Sequence, residues 1–168
     1  WAAALPGPGP LRVGLAWAGN PKHKNDHNRS LPLTALDGLL RTPGVRFVSL
    51  QKDMRPGDEE KMAEYPGLLS LGPHIRTFDD TAAVLTHLDL VISVDTSTVH
   101  LAGAMNKPVW MMIPQVPDWR WMLGRTDSPW YPSLRIYRQS RAGDWAGVAA
   151  EVAAHLAAVV AGRRPAII

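Results

Sequence analysis

The chain has 168 residues and no cysteine, so it is long enough for one domain with its own core and offers no disulfide, thiol nucleophile or zinc–thiolate site. Lys and Arg exceed Asp and Glu by three, 18 against 15, and they are spread along the sequence, unlike the basic stripe of a duplex-binding protein. No stretch approaches the roughly 20 apolar residues of a membrane span, and we expect a cytoplasmic protein.

The two ends of the chain differ from its middle in composition. Residues 1–10 are rich in Ala, Pro and Gly, begin without Met and lack the charged and apolar regions of a signal peptide. We interpret residues 1–10 as a linker within a longer chain, residues 11–162 as one domain and residues 163–168 as a tail.

Strand and helix patterns alternate along the chain. The first predicted strand is an apolar run that Gly19-Asn20-Pro21 closes. Pro43-Gly44 ends the first predicted helix, and Asp79-Asp80-Thr81 has the composition of a helix N-cap. The predicted strands are 11–17, 45–50, 68–71, 88–94, 109–113 and 134–137, and the predicted helices are 33–40, 58–64, one after the cap at 79–81, 95–105 and 145–160.

This alternation indicates an α/β fold, in which a mostly parallel sheet is covered by helices on both faces. Such sheets bind ligands in the crevice outside the carboxyl ends of their strands. The loops after Trp17, Leu50, Val94 and Ile113 are therefore the places where a site is expected.

The most informative segment is the predicted junction of strand and helix at residues 91–100. It places Asp95, Thr96, Ser97 and His100 where free backbone N–H groups and the positive end of a helix dipole favour an anion. Hydroxyl groups there can donate to phosphate oxygens. The alternative is that Asp95 or Thr96 only caps the helix and that His100 packs against it.

The loop after the first strand carries a cluster of positive residues. Gly19 and Asn20 open this loop, and Gly19 allows a close approach of backbone to ligand. Lys22, Lys24 or Arg29 can neutralise a diphosphate. The loop matches neither the G-x-G-x-x-G pattern nor the Walker lysine loop, so ordinary dinucleotide and P-loop sites lose support.

Two further positions follow strands or precede helices. Gln51 ends the second strand and can hydrogen-bond a ribose or base, although a terminal amide that faces solvent is the more common case. Asp80 and Thr81 can line a base pocket, with helix capping as the alternative.

A loop at residues 114–132 holds three of the seven Trp residues. So many aromatic side chains indicate either packing on another domain or the wall of a sugar pocket. The sequence contains no D-x-D motif, no H-E-x-x-H motif and no G-x-S-x-G elbow, so we predict neither a metal site nor a serine hydrolase.

Several segments together resemble a known family. They are Gly-Leu-Ala-Trp-Ala-Gly-Asn, Arg-Ser-Leu-Pro-Leu, Val-Ser-Leu-Gln, Phe-Asp-Asp-Thr-Ala-Ala, Asp-Leu-Val-Ile-Ser-Val-Asp-Thr-Ser-Thr-Val-His-Leu-Ala-Gly-Ala, Asp-Trp-Arg-Trp and Ser-Pro-Trp-Tyr-Pro. The chain from about Leu11 to Leu156 is similar to the C-terminal, donor-binding domain of GT-B glycosyltransferases of the heptosyltransferase type (glycosyltransferase family 9). The resemblance is strongest to bacterial members joined to tetratricopeptide repeats.

The resemblance implies a Rossmann-like half of a GT-B fold that binds a nucleotide-sugar substrate without a metal or another cofactor. The matching positions imply that Asp95 and His100 are catalytic. They also imply that the donor contacts Gly19, Asn20, Lys22, Arg29, Gln51, Thr96 and Ser97. Heptosyltransferases usually have Gly where this chain has Ser97, which affects the shape of the pocket.

The acceptor domain and its general base would lie outside this chain, which alone would be inactive. A nucleotide-sugar epimerase is an alternative enzyme, but no acid and base residues for it are evident. The non-enzymatic alternative is a scaffold domain that retains the fold and binds a partner through the Trp-rich loop.

Overall fold

The computed structural model describes residue 1 and residues 9–162. Most of the expected linker and all of the expected tail, residues 2–8 and 163–168, lie outside the described residues. Within the described ranges, no helix is both long and apolar enough to cross a membrane.

In the part of the chain that the structure describes, six strands form one sheet in the order β3-β2-β1-β4-β5-β6, and every neighbouring pair is parallel. The predicted α/β fold class is thereby confirmed. β4 and β5 are buried at every position, as their continuous apolar character predicts. The strands are β1 (Leu11–Ala16), β2 (Val45–Ser49), β3 (Leu69–Ser70), β4 (Leu90–Val94), β5 (Val109–Ile113) and β6 (Leu134–Arg138).

The helices among the described residues are α1 (Asp26–Arg29), α2 (Asp37–Leu40), α3 (Asp58–Ala63), α4 (Phe78–Thr86), α5 (Ser97–Ala104) and α6 (Trp145–Val160). Of these, α1 to α5 lie in the connections between the strands, and α6 follows the last strand. Short 3-10 turns occur at Leu33–Leu36, Gly72–His74 and Trp119–Trp121.

Helix α1 was not predicted, β4 and α5 are each shorter than predicted at 88–94 and 95–105, and two other elements differ further from the prediction. The single helix predicted at 33–40 is a 3-10 turn followed by the one-turn helix α2, where Gly38 is a poor helix former. β3 is also shorter than the predicted 68–71 because it is an edge strand, and only Leu69 and Ser70 pair with β2.

The core consists of two apolar layers, one on each face of the sheet. Alternate residues point to opposite faces, so Ile92 of β4 and Trp110 of β5 pack in the layer that contains α6. Their neighbours Val91 and Met111 pack in the other layer, with residues of α4 and α5. The carboxyl ends of the strands are left for loops.

The predicted N-cap of α4 at Asp79-Asp80-Thr81 is wrong by two residues or more, because α4 begins at Phe78 and its N-cap is Thr77. The Thr77 side chain accepts a hydrogen bond from the Asp80 backbone N–H at 3.1 Å. The Asp80 carboxylate in turn accepts from the backbone N–H of Thr77 and Arg76, both at 3.0 Å. This is a capping box, with Asp80 as its third helical residue.

We expect Thr77→Ala to lower the free energy of unfolding by about 1 kcal/mol, since the N-cap acceptor is lost. Thr86→Ala, at the other end of α4, is the matched control and is expected to change it by less than about 0.5 kcal/mol. Urea unfolding followed by circular dichroism measures both. Equal losses in the two variants would contradict this role of Thr77.

Acid should weaken the same cap. Hydrogen bonds from the backbone N–H of Thr77, and then of Arg76, hold the pKa of Asp80 below its ordinary 3.8. A lowered folded-state pKa contributes stability above the ordinary value that is lost as the pH falls below it. The stability difference between wild type and Asp80→Ala is therefore expected to shrink from pH 6 to pH 3, and a pH-independent difference would contradict this expectation.

Candidate functional site

The strand order reverses between β1 and β4, which lie side by side at the centre of the sheet. From β1 the chain crosses towards β2 on one side, and from β4 it crosses towards β5 on the other. The loops at the two carboxyl ends therefore diverge and open a crevice, which is where sheets of this kind bind ligands. The N-terminus of α5 follows β4 directly and faces this crevice.

Two cavities meet at the N-terminus of α5. The first, of about 310 Å³, has a lining that includes Ala18, Gly19, Asn20, Gln51 and Lys52. The second, of about 400 Å³, has a lining that includes His23, Asp95, His100, Asp118 and Arg120. Arg29, Thr96 and Ser97 line both cavities.

The junction of the two cavities is rich in hydrogen-bond donors. Thr96 is the N-cap residue of α5, but its side chain makes no capping hydrogen bond, so the simple capping role considered for Thr96 is not observed. Its hydroxyl lies 3.2 Å from that of Ser93. The first N–H groups of a helix have no partner within the helix, and the helix dipole makes this end favourable for an anion.

Arg29 brings a positive charge to the same junction. Its Nη1 donates to the backbone oxygen of Asp95 at 3.0 Å, which ties the loop after β1 to the end of β4. Its Nε is buried, makes no hydrogen bond and lies 3.6 Å from a carboxylate oxygen of Asp26. The guanidinium is thus only partly engaged within the protein.

Gly19 has a role that the sequence did not reveal. A Cβ atom at this position would lie 2.5 Å from Nη2 of Arg29, so any side chain there would displace the guanidinium. Gly19 was predicted to let the backbone approach a ligand. The structure shows in addition that it makes room for Arg29.

A buried carboxylate, Asp26, holds the loop after β1 in shape. It accepts hydrogen bonds from the Ser30 hydroxyl at 2.9 Å and from Arg55. The Ser30 hydroxyl accepts from the Gly19 backbone N–H at 2.9 Å, and Arg55 also donates to the Gly19 carbonyl oxygen at 2.9 Å. This network fixes Gly19 and therefore the space occupied by Arg29.

Gln51 is buried, and its side-chain amide forms four hydrogen bonds within the protein. Its Oε1 accepts from the backbone N–H of Trp17 and of Ala18, both at 3.0 Å. Its Nε2 donates to the carbonyl oxygens of Ala18 and Asp53, both at 3.0 Å. Gln51 lines the first cavity, but its amide joins the loops after β1 and β2, and a contact with ribose stays a prediction.

In the second cavity, His100 has contacts on both ring nitrogens. Nε2 lies 3.8 Å from a carboxylate oxygen of Asp95, and Nδ1 lies 3.0 Å from the Tyr131 hydroxyl. The imidazole also stacks on Trp121, with ring centroids 5.4 Å apart and planes at 29°. Asp95 and His100, predicted to act together, are therefore neighbours in one cavity.

Arg120 and Asp118 form an ion pair in the lining of the second cavity. Burial raises the pKa of Asp118, but the hydrogen bonds from the Arg120 side chain and backbone outweigh it, so the pKa lies below its usual range. The carboxylate is therefore ionised at neutral pH. These two residues lie in the Asp-Trp-Arg-Trp segment, but the sequence did not indicate that they, and not the Trp residues beside them, line the site.

A third space, a recess of about 230 Å³, adjoins the first cavity. The two share Leu50, Lys52, Ser97 and Thr98, and the recess also has Phe78 and Thr81 in its lining. Thr81 was predicted as a candidate for a base pocket. Lys22, in contrast, is exposed and lines none of these three spaces, so its predicted contact with a ligand stays a prediction.

Comparison with known families finds a similarity for part of this region. Residues 59–112 match the family model of Glycosyltransferase family 9 (heptosyltransferase). The matched segment runs from α3 to β5 and contains the β4–α5 junction, with Asp95, Thr96, Ser97 and His100.

Protein FlbA of Caulobacter vibrioides is 34% identical to the chain over 166 residues. The alignment covers 93% of this chain and 27% of FlbA. The chain therefore spans about a quarter of the length of this curated relative.

Solved heptosyltransferase structures share the fold. The structure of E. coli ADP-heptose LPS heptosyltransferase II superposes with a TM-score of 0.64 at 14% identity, over 92% of this chain and 47% of that one. E. coli heptosyltransferase WaaC with ADP gives a TM-score of 0.57 at 20% identity, over 88% of this chain and 43% of that one. The chain thus spans less than half of each of these proteins.

We expect Gln51→Leu to lower the free energy of unfolding by about 1–3 kcal/mol, because the buried N–H groups of Trp17 and Ala18 lose their acceptor. Gln115→Leu is the matched control, since Gln115 is exposed and its amide donates one hydrogen bond, to the Ser140 carbonyl at 3.1 Å. Urea unfolding followed by Trp fluorescence measures both. A loss in Gln51→Leu no larger than in the control would contradict this structural role.

Proposed function

We propose that this chain binds the nucleoside diphosphate part of a nucleotide sugar and serves as the donor half of a glycosyltransferase. The observation that carries the proposal is the meeting of three donor groups at one point of the crevice. They are the N-terminus of α5, the hydroxyls of Thr96 and Ser97, and the guanidinium of Arg29.

The diphosphate fits best at the junction of the two cavities. A diphosphate needs several donors and positive charge, and helix N-termini and guanidinium groups supply both. Arg29, Thr96 and Ser97 are the residues that line both cavities. A phosphate pair placed there has one cavity on each side, as the two ends of a nucleotide sugar require.

The two ends of the donor are assigned by the chemistry of the walls. The recess exposes the Phe78 ring, and an aromatic face suits a nucleobase. The second cavity presents Asp95, His100 and the Asp118–Arg120 pair, which can hydrogen-bond sugar hydroxyls. We therefore place the base towards the recess and the sugar in the second cavity.

This arrangement also accounts for the chemistry of transfer. When the bond between the sugar anomeric carbon and the phosphate oxygen breaks, negative charge develops on the departing nucleoside diphosphate. Arg29 and the N–H groups of α5 are placed to stabilise that charge without a metal, and preorganised donors of this kind contribute about 3 kcal/mol each in other enzymes. Asp95 and His100 lie on the sugar side, where they can orient the reacting centre.

We assign the acceptor domain to a part of the protein outside this chain. Five large apolar side chains of the Trp-rich loop (residues 114–132) are exposed and can pack on another domain. They are Val116, Trp119, Met122, Leu123 and Trp130. Under this proposal the complete protein is a two-domain glycosyltransferase in the cytoplasm, extended by tetratricopeptide repeats. The same exposed patch favours the second candidate, a scaffold domain that binds a partner and no donor.

Calorimetric titration with ADP, UDP, GDP and CDP tests donor binding. We expect one nucleotide to bind, and we expect it to be ADP, because a heptosyltransferase of this fold was solved with ADP. Arg29→Ala should weaken binding about tenfold or more, since a charge-assisted hydrogen bond is lost. Thr96→Ala should weaken it about threefold, since a neutral hydrogen bond is lost. Arg29→Lys keeps the charge without the planar fork and should retain part of the affinity.

Arg141→Ala is the matched control, because Arg141 is exposed and stands beyond β6, away from both cavities. Circular dichroism melting establishes that each variant is folded. If no nucleotide binds at millimolar concentration, or if Arg29→Ala and Arg141→Ala bind equally well, the donor-binding proposal fails and the scaffold candidate gains.

Metal independence has its own test. We expect the dissociation constant for the bound nucleotide to be the same, within about twofold, in EDTA and in millimolar Mg²⁺ or Mn²⁺, because Arg29 and α5 supply the positive charge. The metal-free nucleotide carries more charge, so both titrations are made at equal ionic strength. Binding that appears only with a divalent cation would overturn this part of the proposal.

A further inference from the structure

The surroundings of His100 select one of its two neutral forms. A neutral imidazole carries its proton on one ring nitrogen and accepts on the other. Nε2 faces a carboxylate oxygen of Asp95 at 3.8 Å, and a proton on Nε2 makes that contact attractive. Nδ1 is then an acceptor, and the Tyr131 hydroxyl at 3.0 Å is placed to donate to it.

We propose that Tyr131 is a positioning residue that donates to Nδ1 of His100 and holds the ring as the Nε2–H tautomer. The imidazole then presents an N–H group to the second cavity. The use of this N–H rests on the proposed function, since it would bind a phosphate oxygen or a sugar hydroxyl of the donor. The hydrogen bond between Tyr131 and His100 does not depend on that function.

The packing around the pair restricts the imidazole to one orientation. Trp121 is fully buried and stacks on one face of His100, while the Tyr131 ring meets it edge-on, with centroids 5.8 Å apart and planes at 69°. These two contacts oppose a turn of the ring that would exchange its two nitrogens. A side chain held in this way loses less rotational freedom when it meets a ligand than an unrestrained side chain does.

Gly103, one turn further along α5, makes the position of Tyr131 possible. A Cβ atom at residue 103 would lie 2.5 Å from Cγ of the Tyr131 ring and under 3 Å from both adjacent ring carbons. Any other residue would push the ring, and with it the hydroxyl, away from His100. This contact joins the Ser-Pro-Trp-Tyr-Pro segment to the Leu-Ala-Gly-Ala segment of α5.

Nitrogen NMR of the chain labelled with ¹⁵N-histidine tests the proposal without any ligand. Two-bond ¹H–¹⁵N spectra at pH 8.5, where an ordinary imidazole is neutral, report which nitrogen carries the proton. His100→Gln assigns the signals among the six histidines. In the wild type we expect the proton on Nε2 of His100, and in Tyr131→Phe we expect the shifts of both nitrogens to move towards those of a tautomer mixture.

Tyr131→Phe keeps the ring against Gly103 and removes only the hydroxyl. Tyr65→Phe is the matched control, because the Tyr65 hydroxyl bonds to Asp37 instead, and it should leave the His100 signals unchanged. Gly103→Ala should reproduce the mixture by displacing the ring. A wild-type proton on Nδ1, or His100 shifts that are the same in Tyr131→Phe and wild type, would overturn the proposal.

An ADP titration of the same samples separates this inference from the proposed function. If the wild type fails to bind any nucleotide, the donor-binding proposal fails, while the ligand-free spectra still decide the tautomer. If the nucleotide binds and the proton is on Nδ1, the positioning role of Tyr131 fails alone.

Discussion

The reversal of strand order between β1 and β4 is the constraint on which the rest of the site depends. Parallel strands require crossover connections, and connections that leave two adjacent strands in opposite directions cannot cover the space between them. The chain must then fill that space with loops or leave it open. Here the loop after β1 folds back over it through Arg29, which reaches the backbone at the end of β4, and the remaining space is the pair of cavities.

Polar groups buried beside the crevice hold its loops in place. Gln51 joins the loop after β1 to the loop after β2, and Asp26 joins α1 to Arg55. Buried polar groups of this kind are costly unless every donor and acceptor is satisfied, so each network favours one loop shape. The groups that face the cavities, in contrast, keep hydrogen-bonding capacity, as the side chain of Thr96 does, which makes no capping hydrogen bond.

The architecture could be predicted from the sequence because it depends on local patterns. Continuous apolar strands such as β4 and β5 and the alternation with helices determine the α/β class. The place of Asp95 at a junction of strand and helix could be predicted for the same reason, since its position after a strand is a local feature. The cap of α4 was misplaced because Thr77 and Asp80 form it through reciprocal hydrogen bonds, and composition alone does not reveal which of several polar residues is the cap.

The residues around the cavities that could not be predicted from the sequence are held there by contacts between distant segments. Tyr131 meets His100 across 31 positions of sequence, and Arg55 meets Asp26 across 29. A pattern within one segment cannot report such a contact. The hydrogen bonds of Gln51 could not be predicted for the same reason. Its place at a strand end predicted a ligand contact, whereas its amide bonds to four backbone groups of Trp17, Ala18 and Asp53.

The close approach of Gly19 to Arg29 has a consequence for how this surface can change over evolutionary time. The two positions form a single unit, because the space that a side chain at residue 19 would need is filled by the guanidinium. A lineage that exchanged Arg29 for a shorter residue would free residue 19 to vary, whereas a lineage that kept Arg29 and replaced Gly19 would have to move the guanidinium from its present place beside the Asp95 carbonyl. Among homologous chains, we therefore expect a change at residue 19 to accompany a change in the identity or the position of the side chain at residue 29.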